Sequence, residues 1–174
     1  AEVNPVEGRN ILGLAQARGF SSITEWRLKT ALRLGMDKKQ WTLENIGNPN
    51  DILPNIIIGP YKGWSQFFEN KLNTSFAQAL EIPAFFQWCQ NHDRIIPLAN
   101  NFPLPTTIIV FQKENGQLIH IEGGHRICAV AYRKKLGNSI EFTNQLLINA
   151  AIAPIQDHEL TDFIALMQQK TDKI

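Results

Sequence analysis

Thr106-Thr107-Ile108-Ile109-Val110-Phe111 is a run of β-branched and aromatic residues entered through Pro103-Leu104-Pro105, a pattern that predicts a strand. The polar stretch Gln112 to Gln117 contains Asn115-Gly116, the strongest short-range signal for a hairpin, and Leu118 to Ile121 supplies the returning strand. Two glycines, Gly123 and Gly124, then separate this strand from His125-Arg126 and an apolar helix through Ile127, Ala129, Val130 and Tyr132. The local order is strand, hairpin, strand, glycine turn, helix.

Around this unit the pattern is mostly helical. Ile11 to Ala17 predicts a short apolar helix, and Ser21-Ser22-Ile23-Thr24-Glu25 carries a capping-box signal for a helix ending near Gly35. Ile23, Trp26, Leu28, Leu32 and Leu34 would cover a core from that helix. Gly47 to Asn50 reads as loop, and Ile52 to Ile58, interrupted by Pro54, as an edge strand entering at Asn55. Gly59 to Trp64 is a turn, Ser65 to Leu72 and Phe76 to Leu80 read as helical, and Ile82-Pro83 opens a helix to about His92. Ile140 to Ile152 contains a strand, and Gln156 to Gln169 is a final amphipathic helix. The expected class is α+β, a small mixed sheet flanked by helices. Residues 1–50 would form an N-terminal helical extension packed on a domain of residues 51–174, in one compact unit without internal repeats.

Composition narrows the function classes. The 174 residues are 44% hydrophobic and 19% charged, enough to bury one core. A net charge of +1 argues against a surface built wholly for nucleic acid. Arg9, Arg18, Arg27, Lys29, Arg33, Lys38 and Lys39 crowd the first forty residues, but they fit the solvated face of the predicted helix better than a basic interface. Cys89 and Cys128 sit in apolar patterns and read as small core residues. No apolar run reaches the roughly eighteen residues a membrane span needs, and no signal peptide stands at the start. The expectation is a cytoplasmic protein with no membrane partner.

The glycine turn is the candidate anion site. Gly123 and Gly124 permit positive φ and close backbone approach, and the first N–H groups of the following helix have no intrahelical acceptor. The helix dipole adds about half a positive charge there, Arg126 a planar fork of donors, and His125 one or two more. The competing reading is a plain strand-to-helix turn, with Arg126 solvated and His125 bonded to a backbone carbonyl. Other titratable residues read as structural: His92-Asp93-Arg94 as a helix cap, His120 as solvent-facing between Ile119 and Ile121, and Asp157-His158-Glu159 as a poor metal site.

The order of elements and the turn Glu122-Gly123-Gly124-His125-Arg126 resemble the ParB/sulfiredoxin superfamily over about thirty residues. In sulfiredoxins the turn is similar to Gly-Gly-Cys-His-Arg, which sets Gly124 where the catalytic cysteine would stand. In the superfamily's free-serine kinases it is similar to Asp-Gly-His-His-Arg, which sets Glu122 at an acidic position that holds a metal or handles a proton. ParB nucleotide-binding domains place Gly-Glu-Arg-Arg here against CTP phosphates. The resemblance implies ATP or another nucleotide with Mg²⁺, bound by Gly123, Gly124, His125, Arg126 and Lys62 of the preceding loop. Glu122, His125 and Arg126 would carry phosphoryl transfer to an unidentified acceptor, or nucleotide hydrolysis. The alternative is a non-catalytic, partition-like or regulatory module that binds DNA or a protein partner. A nuclease ranks third, since the sequence shows no carboxylate cluster for two metals.

Overall fold

The computed structural model describes residues 21, 31–33, 35–69, 72–142 and 148–168. Among these the strands are β1 (Thr42–Asn45), β2 (Thr106–Gln112), β3 (Leu118–Glu122) and β4 (Ile148–Pro154). The α-helices that lie wholly within them are α1 (Pro49–Ile52), α2 (Lys62–Ser65), α3 (Phe76–Ala79), α4 (Pro83–Gln90), α5 (Ile95–Asn100), α6 (Gly124–Lys135) and α7 (Asp157–Gln168). The class is mixed α and β.

The sheet order is β1-β4-β2-β3, with β2 and β4 parallel and both outer pairs antiparallel. The hairpin forms as its sequence dictates, with Gly116 at φ 84 in the turn. Ile108 and Val110 of β2, with Ile148 and Ala150 of β4, face a core filled by Leu53, Phe76, Phe85, Ile95 and Ile127. Phe111, Ile119, Ile121 and Ala153 face a second core closed by Phe163 of α7. Burying one such aromatic or aliphatic side chain contributes about 1.5 to 3 kcal/mol. β3 carries an extra residue between the pairs Ile109–Glu122 and Val110–His120, a bulge that bends it as it enters the glycine turn.

Several expectations need correction. β1 lies within residues 1–50 yet pairs with β4, so the sheet begins before the expected boundary at residue 51. Residues 49–55 are helical, with the Asn48 side chain capping α1, and the expected edge strand shrinks to bridges from Ile57 to Ile119 and Ser75. Helix α2 ends at Ser65 instead of running to Leu72, because Phe67 and Phe68 turn onto Phe85 and Trp88. Leu32 is 48% exposed and does not cover the core. The helix predicted at 11–17, and Ile23, Trp26, Leu28 and Leu34, lie outside the described residues. β1 and α5 carry no signal the sequence reading used.

Candidate functional site

Gly123 caps α6 from the left-handed region at φ 92, the conformation that two glycines after a strand predict. A Cβ there would stand 2.7 Å from Ile108 Cγ2, and one on Gly124 would stand 2.7 Å from His120 Nε2 and 3.3 Å from the Trp64 ring. Both glycines are therefore demanded by the protein's own packing. No side chain caps the helix, and its first intrahelical bond runs from Ile127 N–H to the Gly123 carbonyl. Gly124, His125 and Arg126 make up the first turn, ahead of the first N–H that has an intrahelical acceptor.

Arg126 is half-buried, and its guanidinium donates to the hydroxyl of buried Thr106 at the start of β2. The solvated arginine of the competing reading is thus not what the fold makes: one edge of its fork is spent in holding α6 to the sheet. Glu122 ends β3 opposite Ile109 and is half-buried. Lys62 is exposed at the first residue of α2.

The two segments expected to form the site do meet. The Tyr61 hydroxyl donates to the Ile121 carbonyl at 2.6 Å, and the Gly59 N–H donates to His120 Nδ1 at 2.7 Å. Trp64 packs on His120 and His125, with ring centroids at 5.9 and 5.2 Å. The loop before α2 is therefore fastened to the glycine turn through β3.

His120 overturns the expectation of a solvent-facing ring. It is 2% exposed, against Tyr61, Trp64 and Phe76. Alternation did set it on the face opposite Ile119 and Ile121, but that face is also covered. Burial pushes its pKa down from 6.5 to about 3, the Ile57 carbonyl opposing the shift. It is a neutral ring with Nδ1 accepting.

His92, expected as part of a helix cap, also joins a ring cluster at the candidate site. Trp64, Trp88, His92 and His125 form a closed circuit of rings with successive centroid separations of 5.3, 4.4, 4.9 and 5.2 Å. A signal was present in the four-residue spacing of Trp88 near the end of α4 and His92 just past it, but it needed α4 to be placed beside α6. Behind that circuit Cys89 of α4 and Cys128 of α6 lie with their sulfurs 3.6 Å apart, both fully buried as core residues.

Among the described residues no three His, Cys, Asp or Glu side chains converge on a point that would hold a metal ion, so Glu122 belongs to no such cluster. A cavity of about 690 Å³ opens at the other end of β3, among Asp51, Asn55, Ser75, Gln78, Asn115 and Gln117. It is remote in the strand from the glycine turn. No described helix is long and apolar enough to cross a membrane. Comparison with family models, with curated proteins and with solved structures finds no match to this chain.

Proposed function

We propose that the chain binds a phosphorylated ligand of the nucleotide type at the first turn of α6 and acts on it by phosphoryl transfer or hydrolysis. The observation that carries this reading is the start of α6, a twelve-residue helix with no side-chain cap, opened by two glycines and bearing His125 and Arg126 on its first turn. Its N–H groups and dipole favour an anion. The free edge of the Arg126 fork and the His125 ring would neutralise phosphate charge, the N–H groups would cradle the oxygens, and Glu122 would take a proton from the acceptor. Lys62, exposed on the loop fastened to this turn, would extend toward the phosphates. A helix start bearing an arginine fits a phosphate; among the described residues no three potential ligands converge to hold a resident metal, so Mg²⁺ would come with the nucleotide.

The same Arg126 to Thr106 bond favours a second reading, a module that binds the ligand as a switch for DNA or a protein partner. An arginine tied to the sheet suits steady binding. Nucleotide consumption by the parent protein, assayed over a panel of small acceptors, separates the two.

The test of the site is Arg126→Ala, titrated calorimetrically with ATP, ADP, CTP, GTP and inorganic phosphate. Binding of the best ligand should weaken by about 1.5 to 3 kcal/mol, the range for a charged hydrogen bond. Circular dichroism should show the fold retained. Unchanged affinity would put the ligand elsewhere on the molecule.

A further inference from the structure

The proton of the buried His120 ring can be placed from its surroundings. The ring is 2% exposed, and the Gly59 N–H donates to Nδ1 at 2.7 Å. An amide donor needs that nitrogen bare, so the single proton of the neutral ring sits on Nε2. This N–H has no hydrogen-bond acceptor among the described residues. Trp64 and Phe76, packed on the ring at centroid distances of 5.9 and 5.2 Å, carry none; the Tyr61 hydroxyl turns to the Ile121 carbonyl, and the Ile57 carbonyl takes the backbone N–H of His120 at 2.9 Å. A buried donor without a partner is costly, and folded proteins carry few. The ring edge that bears it faces the start of α6, since Nε2 and Cδ2 are the atoms a Cβ on Gly124 would meet, at 2.7 and 3.0 Å. Nor is it closed off. The described side-chain polar atoms sealed in without a partner are Asn50 Oδ1 and Arg94 Nε, so His120 Nε2 keeps a sliver of access.

We infer that His120 is a binding residue of the anion site: its Nε2–H donates, beside Gly124, to an oxygen of the phosphate group held at the first turn of α6. Two features of different origin meet there. The helix start supplies main-chain donors and partial positive charge, and a buried side chain of β3 turns an unpartnered donor toward the first residue of that helix. The donor is also fixed. Gly59 pins the opposite nitrogen, and burial holds the ring pKa down at about 3, so at neutral pH the ring keeps one proton and no charge. A donor already desolvated and oriented needs no reorganisation when the anion arrives. Gly124 then has a second use, because any side chain there would stand on the donor edge. The inference rests on reading the start of α6 as a phosphate site, whereas the placement of the proton on Nε2 needs no ligand.

Nitrogen-15 and proton NMR of the intact chain, with inorganic phosphate as the probe, tests it. Without ligand at neutral pH, His120 Nδ1 should show the shift of an unprotonated imidazole nitrogen and Nε2 that of a protonated one. The opposite tautomer would overturn the inference before any ligand is added. Phosphate should then move the Nε2–H proton signal downfield, together with the main-chain N–H signals of Gly124, His125 and Arg126. Main-chain signals that move while Nε2–H stays would overturn the donor and leave the phosphate site standing; if none moves, both fall. In His120→Phe, which keeps a ring without a donor, the phosphate dissociation constant should rise about tenfold, and His120→Gln, whose amide reaches toward the Nε2 position, should bring it back to within about threefold of the parent. Equal affinity in the parent and His120→Phe, or no recovery in His120→Gln, would overturn the role, and the parent spectra decide alone if the variants do not fold.

Discussion

An ideal Cβ on Gly124 collides with the Nε2 edge of His120, and that ring cannot step aside, because Gly59 holds its Nδ1 and Tyr61, Trp64 and Phe76 surround it. Gly124→Ala should therefore destabilise the fold by about 1 to 3 kcal/mol, the usual cost of overpacking. Urea unfolding followed by tryptophan fluorescence measures it. Pairing the change with His120→Ala should cost less than the sum of the two single changes, since the cavity left by one accommodates the methyl of the other. A neutral Gly124→Ala would mean that the ring is not fixed there. The sequence makes the glycine turn visible and makes Gly123's positive φ predictable, because both follow from neighbours in the chain. It does not show why Gly124 is glycine. That reason depends on His120 pointing inward, and alternation alone says only which residues share a face, not whether the second face is covered.

At the scale of elements, α4 and α6 meet along two successive rungs. His92, just past the end of α4, packs on His125, and three residues away along each segment Cys89 faces Cys128. The sequence separates the cysteines by 39 positions, and only the packing of the two helices brings them together. Proximity does not make them reactive. Burial raises the Cys128 thiol well above its ordinary pKa, and the facing Cys89 raises it further, so the nucleophilic thiolate is suppressed. Neither thiol should react with a disulfide reagent such as Ellman's in the folded protein at neutral pH, and both should react after denaturation. Rapid native labelling of either would show that α4 and α6 separate readily in solution. The β2–β3 hairpin and α6 were legible because their signals are local: a proline-led apolar run, Asn115-Gly116, and the glycine turn. β1 was not, since its four residues are all exposed and its partner on β4 lies about a hundred positions away. α5 was not legible either, as Pro97 interrupts the short apolar stretch from which it is built.

For the whole molecule, the buried neutral His120 ties stability to acid. In the unfolded chain this ring takes up a proton near its ordinary pKa of 6.5, while in the folded protein burial holds it bare down to about 3. Between those values the unfolded state binds more protons than the native state, so stability is fully present above about pH 6.5 and is lost progressively as pH falls through the window. The slope from a single such group approaches about 1.4 kcal/mol per pH unit, or roughly 2 to 3 kcal/mol between pH 6.5 and 4.5. Glu159 acts in the same direction but lower. The Gln156 N–H and then Lys39 hold its carboxyl below the usual value, so its contribution fades only as carboxylates protonate, and solvent screens it at the start of α7. The two are separable by variant and by pH. Urea unfolding of the parent at pH 7, 6, 5 and 4.5 should show the decline, and His120→Asn, whatever its baseline stability, should show a flatter profile over that range while keeping the steeper fall below pH 4. A variant whose stability declines as steeply as the parent's between pH 6.5 and 4.5 would remove His120 as the cause and shift attention to the other histidines, His92 and His125 first.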